Sequence, residues 1–194
     1  MFLGLKLAPK GAVAIFCGRK TSAESLCDKV VDAYYRGLKI TPPVEFSNPD
    51  KARRLVYLYT RNLGADSAAT LCAGLGIFSH HGNTPHGIRL AVEHAMKHKH
   101  ARFVICTSTL AQGVNLPIRY LIVTSVYQGS EPISVRDFHN LIGRAGRADE
   151  HTEGSILFAD NDLLKGSEVS GLSGLNLFRG RGQACPLTNA LISI

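Results

Sequence analysis

Three observations predict an α/β fold, a parallel β-sheet with helices packed on both of its faces. Short apolar, β-branched runs recur along the chain, longer amphipathic stretches separate them, and a loop rich in glycine, hydroxyl and basic residues follows most of them. Runs that are mostly apolar, without polar residues at alternate positions, mark strands covered on both faces, which is the habit of parallel sheets. Five such runs stand out: Val13 to Cys17 (VAIFC), Gly76 to His80 (GIFSH), Arg102 to Cys106 (RFVIC), Tyr120 to Val126 (YLIVTSV) and Ser155 to Ala159 (SILFA).

Helices are expected between the runs, over 21–36, 49–62, 85–98 and 134–145. Thr84 before Pro85 reads as an N-cap with proline at the first helical position, where its missing N–H is not needed. From there Ile88, Ala91, Val92, Ala95 and Met96 form an apolar stripe at helical spacing, with Arg89, Lys97, His98, Lys99 and His100 on or beyond the polar side. The stretch TPPVEFSNP, 41–49, is an irregular, proline-rich connector. Glycines gather after Leu164 and clean periodicity ends there, so the chain divides into an α/β domain over 1–163 and a glycine-rich tail, or the start of a further domain, over 164–194.

The 194 residues suffice for one complete core with an appendage, but hardly for two domains. Hydrophobic content of 45% with 19% charged residues fits a soluble globular chain. No stretch reaches the roughly 18 apolar residues of a membrane span, and Pro9, Lys10 and Gly11 interrupt the opening before a secretory core can form. No membrane partner is expected. Five cysteines without paired spacing point to a reducing, cytoplasmic setting. The net charge of +7 favours a polyanionic partner such as nucleic acid without requiring one.

In open parallel sheets ligands gather at the carboxyl ends of the strands, so the loops there hold the candidate sites. GRKTS, 18–22, suggests a phosphate-cradling P-loop, but Arg19 splits Gly18 from Lys20 and no glycine stands five residues earlier. A nucleotide's phosphates cannot be wrapped by that loop. TSTLAQGVNLP, 107–117, is more informative: Thr107, Ser108 and Thr109 can aim N–H and hydroxyl donors at a phosphate, Gly113 permits a close turn, and Asn115 can offer its amide to a ribose. HNLIGRAGR, 139–147, then places Arg144 and Arg147 three residues apart, each directly after a glycine.

The pair TSTLAQGVNLP and NLIGRAGR resembles motifs V and VI of superfamily 2 helicases of the DEAD/DEAH type, in wording closest to the Ski-like branch. VAIFCGRKTSAESL, 13–26, resembles motif IV, and the segment from Gly76 to Cys106 resembles the stretch that opens in that branch with a double histidine and a glycine. The resemblance runs from Val13 to Asp160 and covers only the second of two RecA-like motor domains. It implies a RecA-like fold and an ATP site shared between lobes, with the P-loop and the Mg²⁺-binding acidic motif on an N-terminal RecA-like domain outside this chain.

By the same resemblance, Arg144 and Arg147 are the catalytic arginine pair, pointing across the cleft at the β- and γ-phosphates. A guanidinium stays charged and matches phosphate oxygens in pairs, which lysine cannot do. Asn140, Gly143, Gly113 and Asn115 would bind the nucleotide, although the family usually has glutamine where Asn140 stands. Arg19, His81, Gly82, Thr107 and Ser108 would line the path of single-stranded DNA or RNA, reading phosphate and sugar rather than base. The expectation is a helicase or translocase half-motor that does not hydrolyse ATP by itself; the alternative is a non-catalytic nucleic-acid- or protein-binding module of the same fold. A metal site from Cys72, His80, His81 and His86 is disfavoured because adjacent strand histidines face opposite ways, and Cys17 and Cys106 read as buried structural thiols rather than nucleophiles.

Overall fold

The computed structural model describes residues 1–108, 116–143 and 154–159, and the backbone of 190–192. A short helix α1 (Phe2–Leu7) continues into a 3₁₀ turn, Ala8–Lys10, and leads to strand β1 (Val13–Phe16). Helices α2 (Lys20–Tyr35), α3 (Pro49–Leu63) and α4 (Ala68–Gly74) follow before strand β2 (Ile77–His80). Then come α5 (His86–Lys97), β3 (Phe103–Cys106), β4 (Tyr120–Val123), a small hairpin β5 (Tyr127–Gln128) and β6 (Glu131–Pro132), α6 (Val135–Ile142), β7 (Ser155–Phe158) and β8 (Ala190–Ile192).

The main sheet has the order β2-β3-β1-β4-β7-β8 and every pairing in it is parallel. This is the RecA-like α/β fold: a parallel central sheet flanked by helices. Side-chain alternation divides the core in two. Ala14, Phe16, Phe78, Val104, Leu121 and Val123 face one side, against Leu55 and Tyr59 of α3, Ile88, Val92 and Met96 of α5, and Phe138 and Leu141 of α6. Val13, Ile15, Ile77, Phe103, Ile105 and Ile122 face the other, against Leu5 of α1 and Ala23, Cys27 and Val30 of α2. All residues of β1, β2, β3 and β4 are buried, as runs without polar alternation require.

The five expected strands are all present, each trimmed at an end. The longest run, 120–126, stops at Val123; beyond it Thr124 Oγ1 joins its own N–H on the Phe16 carbonyl, at 2.8 Å, and the Tyr127 N–H donates to Ser125 Oγ at 3.1 Å instead of to a strand. The four expected helices are also present, α6 ending at Ile142. Thr84 is not the cap of α5; Pro85 holds that position, and the Thr84 hydroxyl turns inward to take the His81 N–H at 3.4 Å. α1, α4 and the 3₁₀ turn Pro43–Phe46 inside the proline-rich connector are additions that the sequence pattern does not reveal. Within 164–194, Ala190–Ile192 pairs with β7 as the last strand of the sheet.

α3 starts where a helix should, with Pro49 in its first turn and the Asn48 side chain accepting the Lys51 N–H at 3.1 Å. Its buried Tyr59 closes the open edge of β2. The Tyr59 hydroxyl accepts from the Ser79 N–H at 2.9 Å and donates to the Ser79 carbonyl at 3.0 Å, so this edge residue is satisfied without a further strand. Replacing Tyr59→Phe strands both groups in an apolar setting and should lower stability by about 1–3 kcal/mol, read as a lower urea midpoint at unchanged slope.

Candidate nucleic-acid interface

The parallel register brings the ends of β2, β3, β1 and β4 to one edge, and backbone bonds carry the order into the loops. The Thr107 N–H reaches the His80 carbonyl at 3.2 Å, Cys17 N–H the Cys106 carbonyl at 2.7 Å, and Thr124 N–H the Phe16 carbonyl at 3.0 Å. The loops opened by Gly18, His81 and Thr107, far apart in sequence, therefore lie side by side.

Arg19 and Lys20 are exposed at the start of α2. Arg19 is held by its Nε, which donates to the Gly129 carbonyl in the turn of the β5–β6 hairpin at 2.7 Å. Lys20 Nζ donates to Asn83 Oδ1 at 3.1 Å, and Asn83 Nδ2 donates to Glu24 Oε1 at 3.0 Å, which ties the first loop to the second. The Gly129 N–H also donates to the Gly18 carbonyl at 2.8 Å. This close crossing explains the glycine: a β-carbon at Gly18 would collide with the Tyr127 carbonyl and with Ser125 Oγ. Gly129 itself has φ +70°, a turn geometry that favours glycine.

α2 and α5 both begin at this edge without a side-chain cap, whereas α6, which begins after the hairpin, is capped by Ser134. Uncapped helix starts present N–H groups and a partial positive charge, the arrangement that receives phosphate.

Of the five residues expected along a strand path, Arg19 and Gly82 are exposed, Ser108 is half-buried, and Thr107 and His81 are buried. His81 is 5% exposed and its Nδ1 has no hydrogen-bond partner. Burial lowers its pKa below the usual histidine value, partly offset by Glu24, so the ring is neutral at neutral pH. His80 turns to the opposite side, as alternation requires, with its Nε2 2.6 Å from Glu93 Oε1 on α5. Asn140 is exposed on α6, and among the described residues a β-carbon at Gly143 would stand 3.0 Å from the His139 carbonyl. Arg144, Arg147, Gly113 and Asn115 lie outside the described residues. Lys20 and Asn83 belong to the same edge but escape a reading of the sequence; their link spans 63 residues and has no local signal.

The four described cysteines are used as core. Cys17, Cys27, Cys72 and Cys106 are free and buried, and burial pushes the Cys17 and Cys106 thiols above the ordinary range, away from nucleophilic use. Among the described residues no helix is long and apolar enough to cross a membrane.

A parallel α/β lobe whose strand-end loops carry cations and open helix starts belongs to the RecA-like class of domains. Within that class, residues 39–149, more than half of the chain, match the model of the helicase conserved C-terminal domain. The chain belongs to that family, in keeping with its resemblance to superfamily 2 helicases. It is 32% identical over 155 residues to the Hachiman protein HamB of Bacillus cereus, covering 79% of this chain and 14% of that protein. It is 31% identical over 160 residues to the Helicase POLQ-like protein of Caenorhabditis elegans, covering 78% and 16%. To the ATP-dependent DNA helicase Hel308 of Methanocella arvoryzae it is 30% identical over 158 residues, covering 78% and 21%. The chain thus spans about a fifth or less of the length of these relatives.

Gly18→Val should cost about 1–3 kcal/mol, because backbone rather than a flexible side chain occupies the space. Gly82→Ala, with nothing within 4 Å of the added carbon, should stay within about 0.5 kcal/mol of the parent. Urea midpoints of the two variants compare them directly.

Proposed function

We propose that this chain is the second RecA-like lobe of an ATP-dependent helicase or translocase of superfamily 2, Ski-like branch, and that it grips single-stranded DNA or RNA along the carboxyl edge of its sheet. The observation that carries the reading is the convergence of Arg19, Lys20, Gly82, Asn83 and Ser108 beside two open helix starts, in a member of the helicase C-terminal family. Exposed cations and N–H groups meet phosphates without reading bases, which suits a motor that must move over any sequence. Thr107 and His81, being buried, shape the floor of the path.

Nucleotide binding is assigned to the end of α6 and the residues after it. The exposed amide of Asn140 at the end of α6 fits an approaching phosphate ester. Arg144 and Arg147 would hold the β- and γ-phosphates, and Gly113 and Asn115 the sugar side of the same ligand. When bound, ATP with Mg²⁺ supplies the phosphoanhydride whose cleavage drives each cycle. The chain's own share is to place two permanent positive charges where the transferred phosphoryl group gains charge, and to hold the strand while an N-terminal RecA-like lobe supplies the P-loop.

Two measurements test this. In fluorescence anisotropy with fluorescein-labelled oligo-dT, Arg19→Ala with Lys20→Ala should weaken binding and reduce the salt-dependence slope by about 1 for each phosphate no longer neutralised. The chain alone should turn over no ATP above background. In a protein that joins it to a P-loop lobe, Arg147→Ala should lower turnover by roughly 10³-fold or more. Turnover by the chain alone would overturn the shared-site reading, and an Arg147→Ala protein of full activity would favour a non-catalytic binding module.

A further inference from the structure

The opposite end of the domain carries a second surface. His100 and Arg102 precede β3, and their carbonyls accept from the Asn48 and Val13 N–H groups at 3.0 and 2.7 Å, so the end of α5 and the start of α3 meet at the amino edge of the sheet. Between these helices runs a groove of about 300 Å³ lined by Lys51, Arg54, Leu55, Leu58, Ala91, His94, Ala95 and His100. Its floor is aliphatic, from Leu55, Leu58, Ala91 and Ala95. Leu58 is 36% exposed, and Leu90, one turn before His94 on α5, is 50% exposed.

Its rim is basic. Lys51 and Arg54 rise from α3 and His94 and His100 from the other wall, with Lys97 and His98 exposed alongside. The rings of His94 and His98 lie 4.1 Å apart and those of His98 and His100 5.9 Å apart. The nearby carboxylates are engaged elsewhere, Asp50 by Arg53 and Glu93 by His80. Among the described residues, Lys51 and Arg54 have no anionic partner.

We propose that the α3–α5 groove docks an acidic, amphipathic segment of a partner polypeptide, which lays aliphatic side chains on the Leu55, Leu58, Ala91 and Ala95 floor and carboxylates against Lys51, Arg54, His94 and His100. An apolar floor with a single-sign rim fits a helix that is apolar on one face and acidic on the other. A nucleic-acid strand fits it less well: its phosphates would find the rim, but the aliphatic floor has no donor for a sugar hydroxyl, and the rings of His94, His98 and His100 stack on one another at the rim. The groove is also separate from the strand path of Arg19 and Ser108, which lies at the other edge of the sheet.

Charge at the rim is adjustable. His94 titrates below the usual histidine value, first because of His98 beside it, with desolvation, His100, Lys51 and Lys97 adding to the effect. Carboxylates brought to the rim favour the protonated ring, so docking takes up protons and tightens as pH falls.

The test uses the full chain in anisotropy titrations with three labelled probes: an amphipathic peptide with leucine on one helical face and glutamate on the other, poly-glutamate of equal length, and oligo-dT. The amphipathic peptide should bind most tightly, and should tighten between about pH 8 and pH 6. Lys51→Glu with Arg54→Glu should weaken it at least about tenfold and leave oligo-dT binding intact. Leu58→Asp, at an exposed position, should weaken it as well, with urea midpoints confirming that both variants fold. Arg19→Ala with Lys20→Ala should weaken oligo-dT alone, so failure at either edge is told from failure at the other. No binding of the amphipathic peptide, equal binding of poly-glutamate, or loss of oligo-dT binding in the Lys51→Glu, Arg54→Glu variant would overturn the proposal.

Discussion

β1 is the constraint from which the rest of the domain follows. Its four residues, Val13 to Phe16, have no exposed surface, pair with β3 on one side and β4 on the other, and send side chains alternately into the two halves of the core. A strand so enclosed cannot slip by one residue without exchanging the two halves of the core, Ala14 and Phe16 for Val13 and Ile15. Its register therefore fixes where the chain emerges, and it emerges at Gly18. The crossing of Gly18 by the β5–β6 hairpin then aims Arg19 at the Gly129 carbonyl, so the direction of an exposed cation is set by packing several residues away.

The same register sorts the chemistry of the two ends. At the carboxyl edge the polar groups are linked across loops, Lys20 to Asn83 and Asn83 to Glu24, and two helices open without caps. At the amino edge α3 is capped by Asn48 and the cations stand over an aliphatic floor. Donors with little apolar surface suit a polyanion's phosphates, whereas cations around leucine suit an acidic peptide; the two edges of one sheet therefore differ in partner by composition, with similar charge.

The parts of this arrangement that rest on burial are legible in the sequence. Strands covered on both faces leave unbroken apolar runs, and the stripe from Ile88 to Met96 shows α5 directly, because each pattern is written by one element alone. What is not legible depends on pairs of elements. The strand after Tyr120 reads as longer than it is because Thr124 and Ser125 look like strand residues until their hydroxyls are seen taking backbone partners. α1 and α4 span 6 and 7 residues, too few turns for a period, and the hairpin strands have 2 residues each. His81 follows a strand of wholly buried residues in a loop that reads as exposed, yet its ring is enclosed near Glu24 and Arg89.

α5 joins the two edges, and its residues show how one helix serves both. Its first turn opens uncapped beside Gly82, its middle holds Glu93 against His80 at the end of β2, and its last turn and the residues after it carry His94, His98 and His100. Ile88, Val92, Ala95 and Met96 keep it seated on the sheet throughout. The Glu93 side chain, half-buried, turns to a buried histidine. That placement leaves the amino-edge groove without an internal counter-charge, and it holds β2 against α5 where the second loop departs. A single partly buried pair thus supports the loop that carries Gly82 and Asn83 while leaving the far end of the same helix basic.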